Sequence, residues 1–191
     1  MINRLRGRLA QAPQPVPFAV DGFQQSAVLV PLVPGVGGRD CEDGEDGLSL
    51  LLTVRPTHLR RHPGQIAFPG GKRDPGDPSL RDTALREAEE ELGLSGAEVL
   101  GYLADIPTPA GFVITPVVGL VPGRLDLRPS ADEVAETFLA PIPALRQVHR
   151  AGMTREYLGY HFVMHEFLFQ KYRIWGATAA MIHQLLGLLD G

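Results

Sequence analysis

The chain has a single cysteine, Cys41, among 191 residues. An intrachain disulfide is therefore excluded. Cys41 sits in the acidic stretch Cys41-Glu42-Asp43-Gly44, which predicts a loop thiol in a reducing, cytoplasmic compartment. Long apolar runs are also missing: residues 27–33 and 48–54 fall well short of the roughly 18 residues a membrane span needs, so no membrane partner is expected. Positive charge is not in excess. Eighteen Lys and Arg stand against 22 Asp and Glu, a net charge of −4, and no nucleic-acid partner is expected for a chain without a global attraction to phosphate backbones. There is no P-loop, no Gly-x-Gly-x-x-Gly and no Gly-x-Ser-x-Gly, which removes three common phosphate, dinucleotide and acyl-transfer readings.

What is present describes an ordinary globular chain, with 44% hydrophobic and 21% charged residues, long enough for one domain over 1–191. Residues 1–24 carry Arg4, Arg6 and Arg8 without the apolar segment of a secretory signal. They predict a short amphipathic helix and a proline-containing linker, in preference to a mitochondrial-type leader. Apolar runs predict strands over 26–33 and 48–55, separated by a mobile Gly/Asp/Glu-rich loop over 34–47. Prolines at 56, 63, 69, 75 and 78 and glycines at 64, 70, 71 and 76 predict irregular backbone over 56–79. Leu80, Ala84, Leu85, Ala88 and Leu92 then recur at helical spacing, with Ser79 as N-cap and Gly93 as stop. Further strands are expected over 98–105, 113–121, 134–138 and 158–169, and a closing helix over 178–189. Helices flanking hairpin-connected strands predict an α/β fold, an α/β/α sandwich with a mixed sheet between helices.

The informative segment is Glu87-Ala88-Glu89-Glu90-Glu91, at the end of the predicted helix. At about 100° per residue, Glu87, Glu90 and Glu91 share an arc of roughly 100°. Like charges three and four apart each cost about 0.2–0.5 kcal/mol, and acids in the last turn oppose the helix dipole. A cation relieves both, and an all-oxygen set favours Mg²⁺ or Mn²⁺ over zinc. The alternative is a solvated acidic face. Context tips the balance, because residues 55–73 hold Arg55, Arg60, Arg61, Lys72 and Arg73 and no acid. Cationic side chains for phosphate beside a metal-ready helix are what hydrolysis of a phosphoanhydride needs. Gly70-Gly71 allows close approach, and Gly71 offers its carbonyl to the metal. Arg86, four residues before Glu90, is read as an orienting ion-pair partner. His161 and His165 are read as ordinary strand histidines without a role.

The stretch Gly71-x5-Asp77-x8-Arg86-Glu87-Ala88-x-Glu90-Glu91-x-Gly93-Leu94 resembles the signature of the Nudix hydrolases, which cleave a nucleoside diphosphate linked to another group. It departs in two places: Asp77 stands where glutamate is usual, and eight residues rather than seven separate it from Arg86. A second stretch, Leu51-Leu52-Thr53-Val54-Arg55 with Arg60, Gly64 and Phe68-Pro69-Gly70-Gly71, resembles the motif of the coenzyme A pyrophosphatase branch, with Pro56 where a small residue is expected. Residues 132–136 and 172–179 also resemble this branch. The resemblance implies a Mg²⁺- or Mn²⁺-dependent enzyme that splits coenzyme A or its derivatives, as small-molecule substrate, into adenosine 3′,5′-bisphosphate and 4′-phosphopantetheine. It implies Gly71, Glu87, Glu90 and Glu91 at the metal, Arg86 and Glu133 with these acids in catalysis, and Arg55, Arg60 and Lys72 at the substrate. Rival readings are a Nudix hydrolase of ADP-ribose or dinucleoside polyphosphates, and a noncatalytic nucleotide-binding regulator.

Overall fold

A computed structural model of the chain describes residues 2–11, 22–35, 47–59, 62–121, 125–157 and 159–190. Most of the expected loop over 34–47, with Cys41, lies outside the described residues, as do the linker residues 12–21 and Arg60 and Arg61.

The sheet is organised around β1 (Gln24–Pro34). Its alternate side chains are buried on both faces: Ala27, Leu29 and Val33 join one apolar cluster, Val30 and Leu32 the other. A strand covered on both faces reads as a near-continuous apolar run, which is how 27–33 looks in sequence. One edge of β1 pairs in parallel with β7 (Phe112–Leu120), from Gln24 opposite Phe112 to Leu32 opposite Leu120. Its other edge is shared end to end. The last residues pair antiparallel with β2 (Leu48–Val54), and residues 26–28 pair antiparallel with β4 (Gly70–Lys72). The mixed eight-stranded sheet is completed by β3 (Ile66–Ala67) and β8 (Glu136–Pro141) on β2, and by β5 (Glu98–Tyr102) and β6 (Ile106–Thr108) on β7.

Helix α2 (Leu80–Leu92) lies on one face of this sheet, burying Ala84, Ala88 and Leu92 with Ala27, Leu29, Leu51 and Val117. On the opposite face α1 (Ile2–Gln11) and α4 (Gly176–Asp190) bury Leu5, Leu9, Ile182 and Leu185 with Leu32, Leu50 and Leu52. This is the expected sandwich, a mixed sheet between helices. Helix α1 comes so close that a Cβ on Gly101 would lie 2.6 Å from Leu9 Cβ. Among the described residues, no helix is long and apolar enough to cross a membrane.

Several elements differ from the sequence expectation. The stretch 56–79 is not wholly irregular, because Gly70, Gly71 and Lys72 form β4 on the open edge of β1. A glycine-rich strand of three residues carries no alternating apolar signal; its neighbour supplies the order. The region before β10 (Tyr160–Phe169) holds α3 (Ile142–Gln147), which carries a proline, Pro143, in its first turn as helices commonly do, and β9 (His149–Tyr157). Strand β9 is exposed along most of its length and is held by pairing with β10, which β11 (Tyr172–Trp175) extends into a second, three-stranded sheet.

Candidate active site

The site forms where β4 and the last turns of α2 face each other. Ser79 caps α2, its hydroxyl accepting from Asp82 N at 3.3 Å. At the far end Gly93 adopts a left-handed conformation, φ 66°, and its N–H donates to the Glu89 carbonyl. Two more terminal carbonyls are closed by a segment distant in sequence: Arg128 N donates to Leu92 O at 2.7 Å and Ser130 N to Glu91 O at 2.8 Å. Ser130 in turn accepts from Glu133 N at 3.1 Å, so the loop that caps α2 also carries Glu133 toward its acids.

The three acids expected on one helix face are not equivalent. Glu90 is 56% exposed, whereas the Glu87 side chain is 17% exposed and Glu91 only 6%. Burial is the main cause of a raised pKa at both inner acids. The Glu91 carboxyl is pushed up to about 8, with Glu133 and Glu87 adding repulsion, while Arg55 and a Gly70 backbone hydrogen bond oppose the rise. Glu87 is raised by burial, then by Glu90 and Glu133, against the pull of Arg86. The acids thus form one electrostatically coupled group, drawn from α2 and the 130–134 loop.

Gly71 faces this group so closely that any side chain there would displace an acid: a Cβ would lie 2.5 Å from Glu87 Oε1. Gly70 is more firmly confined, because its Cβ would strike the backbone carbonyl of Ala27 on β1. The two glycines let β4 lie flat against both its strand neighbour and the acidic helix. Buried carboxylates with raised pKa, opposite a cradle that a methyl group would fill, suit a hard divalent ion that takes oxygen ligands. Glu87, Glu90, Glu91 and the Gly71 carbonyl are the groups available to hold it.

Arg86 ties the assembly together. Its Nε and Nη2 meet the two oxygens of Asp77 at 3.0 and 3.1 Å, Nη1 donates to Glu90 Oε2 at 2.8 Å, and Nη2 lies 2.9 Å from Glu87 Oε1. It also donates to the Lys72 carbonyl at 3.3 Å, which joins α2 to β4. Asp77 is itself buried, accepting from Asp74 N at 3.0 Å and from Thr83 Oγ1 at 2.8 Å. The Arg86 guanidinium, followed by these donors, holds the Asp77 carboxyl far below the usual carboxylate range. Sequence reasoning placed Arg86 and Glu90 together and named Asp77 in the signature without giving it a partner, but it missed Thr83. The helical spacing of Thr83 from Arg86 and Glu87 was the available signal.

A model of the NUDIX domain matches residues 31–158. The chain belongs to the Nudix hydrolases. It is 42% identical over 186 residues to "Uncharacterized Nudix hydrolase NudL" of Yersinia enterocolitica, covering 92% of this chain and 86% of that protein. The protein of the same name from Photorhabdus laumondii is 39% identical over 189 residues, covering 96% and 93%. Among solved structures, a Nudix hydrolase from Alicyclobacillus acidocaldarius superposes with TM-score 0.53 at 20% identity, over 65% of this chain and 82% of its own. A MutT/nudix family protein from Enterococcus faecalis gives 0.52 at 18% identity, over 95% and 67%. These likenesses bear on fold alone.

Of the cationic residues read as substrate contacts in this Nudix chain, Arg55 borders the acids: its charge acts on Glu91, and its Nε is buried and, among the described residues, has no hydrogen-bond partner. Lys72 is exposed, with Nζ 5.3 Å above the Phe112 ring. Arg60 lies outside the described residues.

Proposed function

We propose that this Nudix hydrolase cleaves the diphosphate of coenzyme A or its derivatives, giving adenosine 3′,5′-bisphosphate and 4′-phosphopantetheine or its acyl form. The observation that carries the hydrolytic part is the coupling of Glu87, Glu91 and Glu133, with Glu87 set against Gly71, Glu91 hydrogen-bonded to the Gly70 backbone and the Arg55 charge acting on Glu91. The choice of coenzyme A rests on the resemblance over residues 51–71.

In this reading the Nudix acids Glu87, Glu90 and Glu91, with the Gly71 carbonyl, hold Mg²⁺ or Mn²⁺. The ion supplies Lewis acidity and offsets the charge of the diphosphate. Arg86 keeps Glu87 and Glu90 in position from the outer side, without touching substrate. Arg55 neutralises phosphate charge through its guanidinium. One carboxylate of the coupled group takes the proton of the attacking water. Glu133 is suited to this, because it sits on a loop outside the helical set and its own charge already couples to both Glu87 and Glu91.

The test is mass identification of the products formed from coenzyme A, acyl coenzyme A, ADP-ribose and dinucleoside polyphosphates by the purified protein with Mg²⁺. Adenosine 3′,5′-bisphosphate from coenzyme A at the highest kcat/KM supports the reading. Preferential turnover of ADP-ribose or a dinucleoside polyphosphate overturns the substrate while leaving the hydrolase, and no turnover of any compound overturns both.

A further inference from the structure

Away from the acidic helix, three histidines from three elements meet. His149 opens β9, His165 lies in β10 and His183 projects from α4. His149 Nε2 and His165 Nδ1 are 3.0 Å apart, and the His165 and His183 rings stack with centroids 3.7 Å apart. One ring nitrogen from each lies within 4.8 Å of the other two. His149 and His165 are partly buried and His183 is exposed, so the group is walled by protein on one side and open to water on the other. His161, the neighbour that sequence spacing offered to His165, instead pairs across the hairpin with Glu156.

We infer that His149, His165 and His183 form a second metal site, which takes one zinc ion or a similar borderline divalent transition ion, with water as the remaining ligand. Nitrogen ligands at about 2.0–2.1 Å in a tetrahedral site stand about 3.3 Å from one another; the His149–His165 pair is already at 3.0 Å, and the His183 nitrogen, within 4.8 Å of both, has a short distance to close. Imidazole selects zinc-like ions, whereas the carboxylates of α2 select Mg²⁺ or Mn²⁺, so the two sites differ in chemistry as well as place. Burial and the neighbouring rings lower the pKa of His149 and bring that of His165 to about 4, so neither ring carries a charge that would repel a cation at neutral pH. Binding turns His183 out of its stack so that its lone pair converges with the others, and the His149–His165 hydrogen bond gives way, its proton passing through solvent to the other nitrogen of the donor ring. The ion would clamp the second sheet to the C-terminal helix, a structural role separate from hydrolysis.

The test uses the full chain in a Glu90→Gln background, which weakens the acidic site, with and without His183→Gln. Both proteins are stripped with a chelator, then titrated with Zn²⁺ in excess Mg²⁺ against a chromophoric competitor. The expected result is one zinc ion per chain in Glu90→Gln, and affinity weaker by about a hundredfold or more once His183 is replaced. Zinc should also raise the melting temperature of the first protein more than that of the second. Because His183 is exposed, its replacement leaves the fold intact, which circular dichroism checks. Equal zinc stoichiometry and affinity in the two proteins overturns the inference, as does failure of the Glu90→Gln protein, which keeps all three histidines, to bind zinc.

Discussion

Arg86 closes a two-toothed fork on Asp77, nitrogen to oxygen at 3.0 and 3.1 Å, although eight residues separate them. The fork fixes the plane of a guanidinium whose remaining donors reach Glu87 and Glu90. A residue whose sequence position departs from the family signature therefore orients the acids that the signature identifies. In Asp77→Asn one tooth would face an amide N–H, so stability should fall by about 1.5–3 kcal/mol, the scale of hydrogen bonds to charged groups. Turnover should fall while KM changes little, since Asp77 acts through Arg86. Urea denaturation alongside steady-state kinetics checks both. Parental kinetics in Asp77→Asn would show that the acids do not depend on the fork.

Glu91 makes a prediction about pH. Its carboxyl is raised from 4.5 to about 8 in the folded, metal-free protein. The native state therefore binds a proton more tightly than the unfolded chain, and stability falls as pH rises from about 4.5 to 8, by up to about 4 kcal/mol. Asp77 acts in the opposite sense, its lowered pKa stabilising the fold above the unfolded value and losing that contribution on acidification. Metal-free Glu91→Gln should show a flatter stability profile between pH 5 and 8, and with Mg²⁺ the variant should retain little of the parent's hydrolytic activity. Mg²⁺ should restore stability at pH 8 in the parent but not in the variant. Unfolding curves at a series of pH values, with and without Mg²⁺, decide; parallel profiles for the two proteins would contradict the assignment.

Gly71→Ala is expected to separate folding from function. The new methyl group would meet the Glu87 carboxylate at 2.5 Å, and a carboxylate at the end of a flexible side chain can swing away. The protein should fold, with a melting temperature lowered by a few degrees, and activity should fall by an order of magnitude or more because a displaced ligand weakens ion binding. Raising Mg²⁺ should recover part of it. A variant with parental activity at limiting Mg²⁺ would remove Glu87 and Gly71 from the ion's surroundings.

Specificity should lie with Arg55 or Arg60. Replacing the arginine that binds a substrate phosphate by Ala should lower kcat/KM for coenzyme A by about 1.5–3 kcal/mol. If the contact is to the 3′-phosphate, hydrolysis of the analogue lacking that group should change much less; if to the diphosphate, both should fall equally. Should neither substitution alter either rate, the cationic stretch is not a substrate clamp.

The parts legible in the sequence are those where one local signal dominates. Ser79, the apolar spacing and Gly93 mark α2 within a residue of its ends, and the apolar runs mark β1 and β2. Strand β9 was not legible because its residues are largely exposed and only β10 orders it. The same holds for the site. Helical geometry brings Glu87, Glu90 and Glu91 to one arc, but the burial that distinguishes Glu91 from Glu90 comes from β4 and the 130–134 loop, which helical spacing alone does not reveal.

The parallel pairing of β1 with β7 bears on how the chain reaches this structure. Ser26 Oγ donates to the carbonyl of Val113, 87 positions further along the chain, and the central ladder closes only when segments this far apart have met. Strand β4 in turn needs β1 as its template, so the glycines reach the acids only once a pairing remote in sequence has formed. Chains dominated by such remote pairings fold in milliseconds to seconds rather than microseconds. Helix α2, whose bonds are local, has no such delay. Stopped-flow refolding should therefore show helical signal ahead of Mg²⁺-dependent activity, and simultaneous recovery of the two would mean that helix and cradle order in one step.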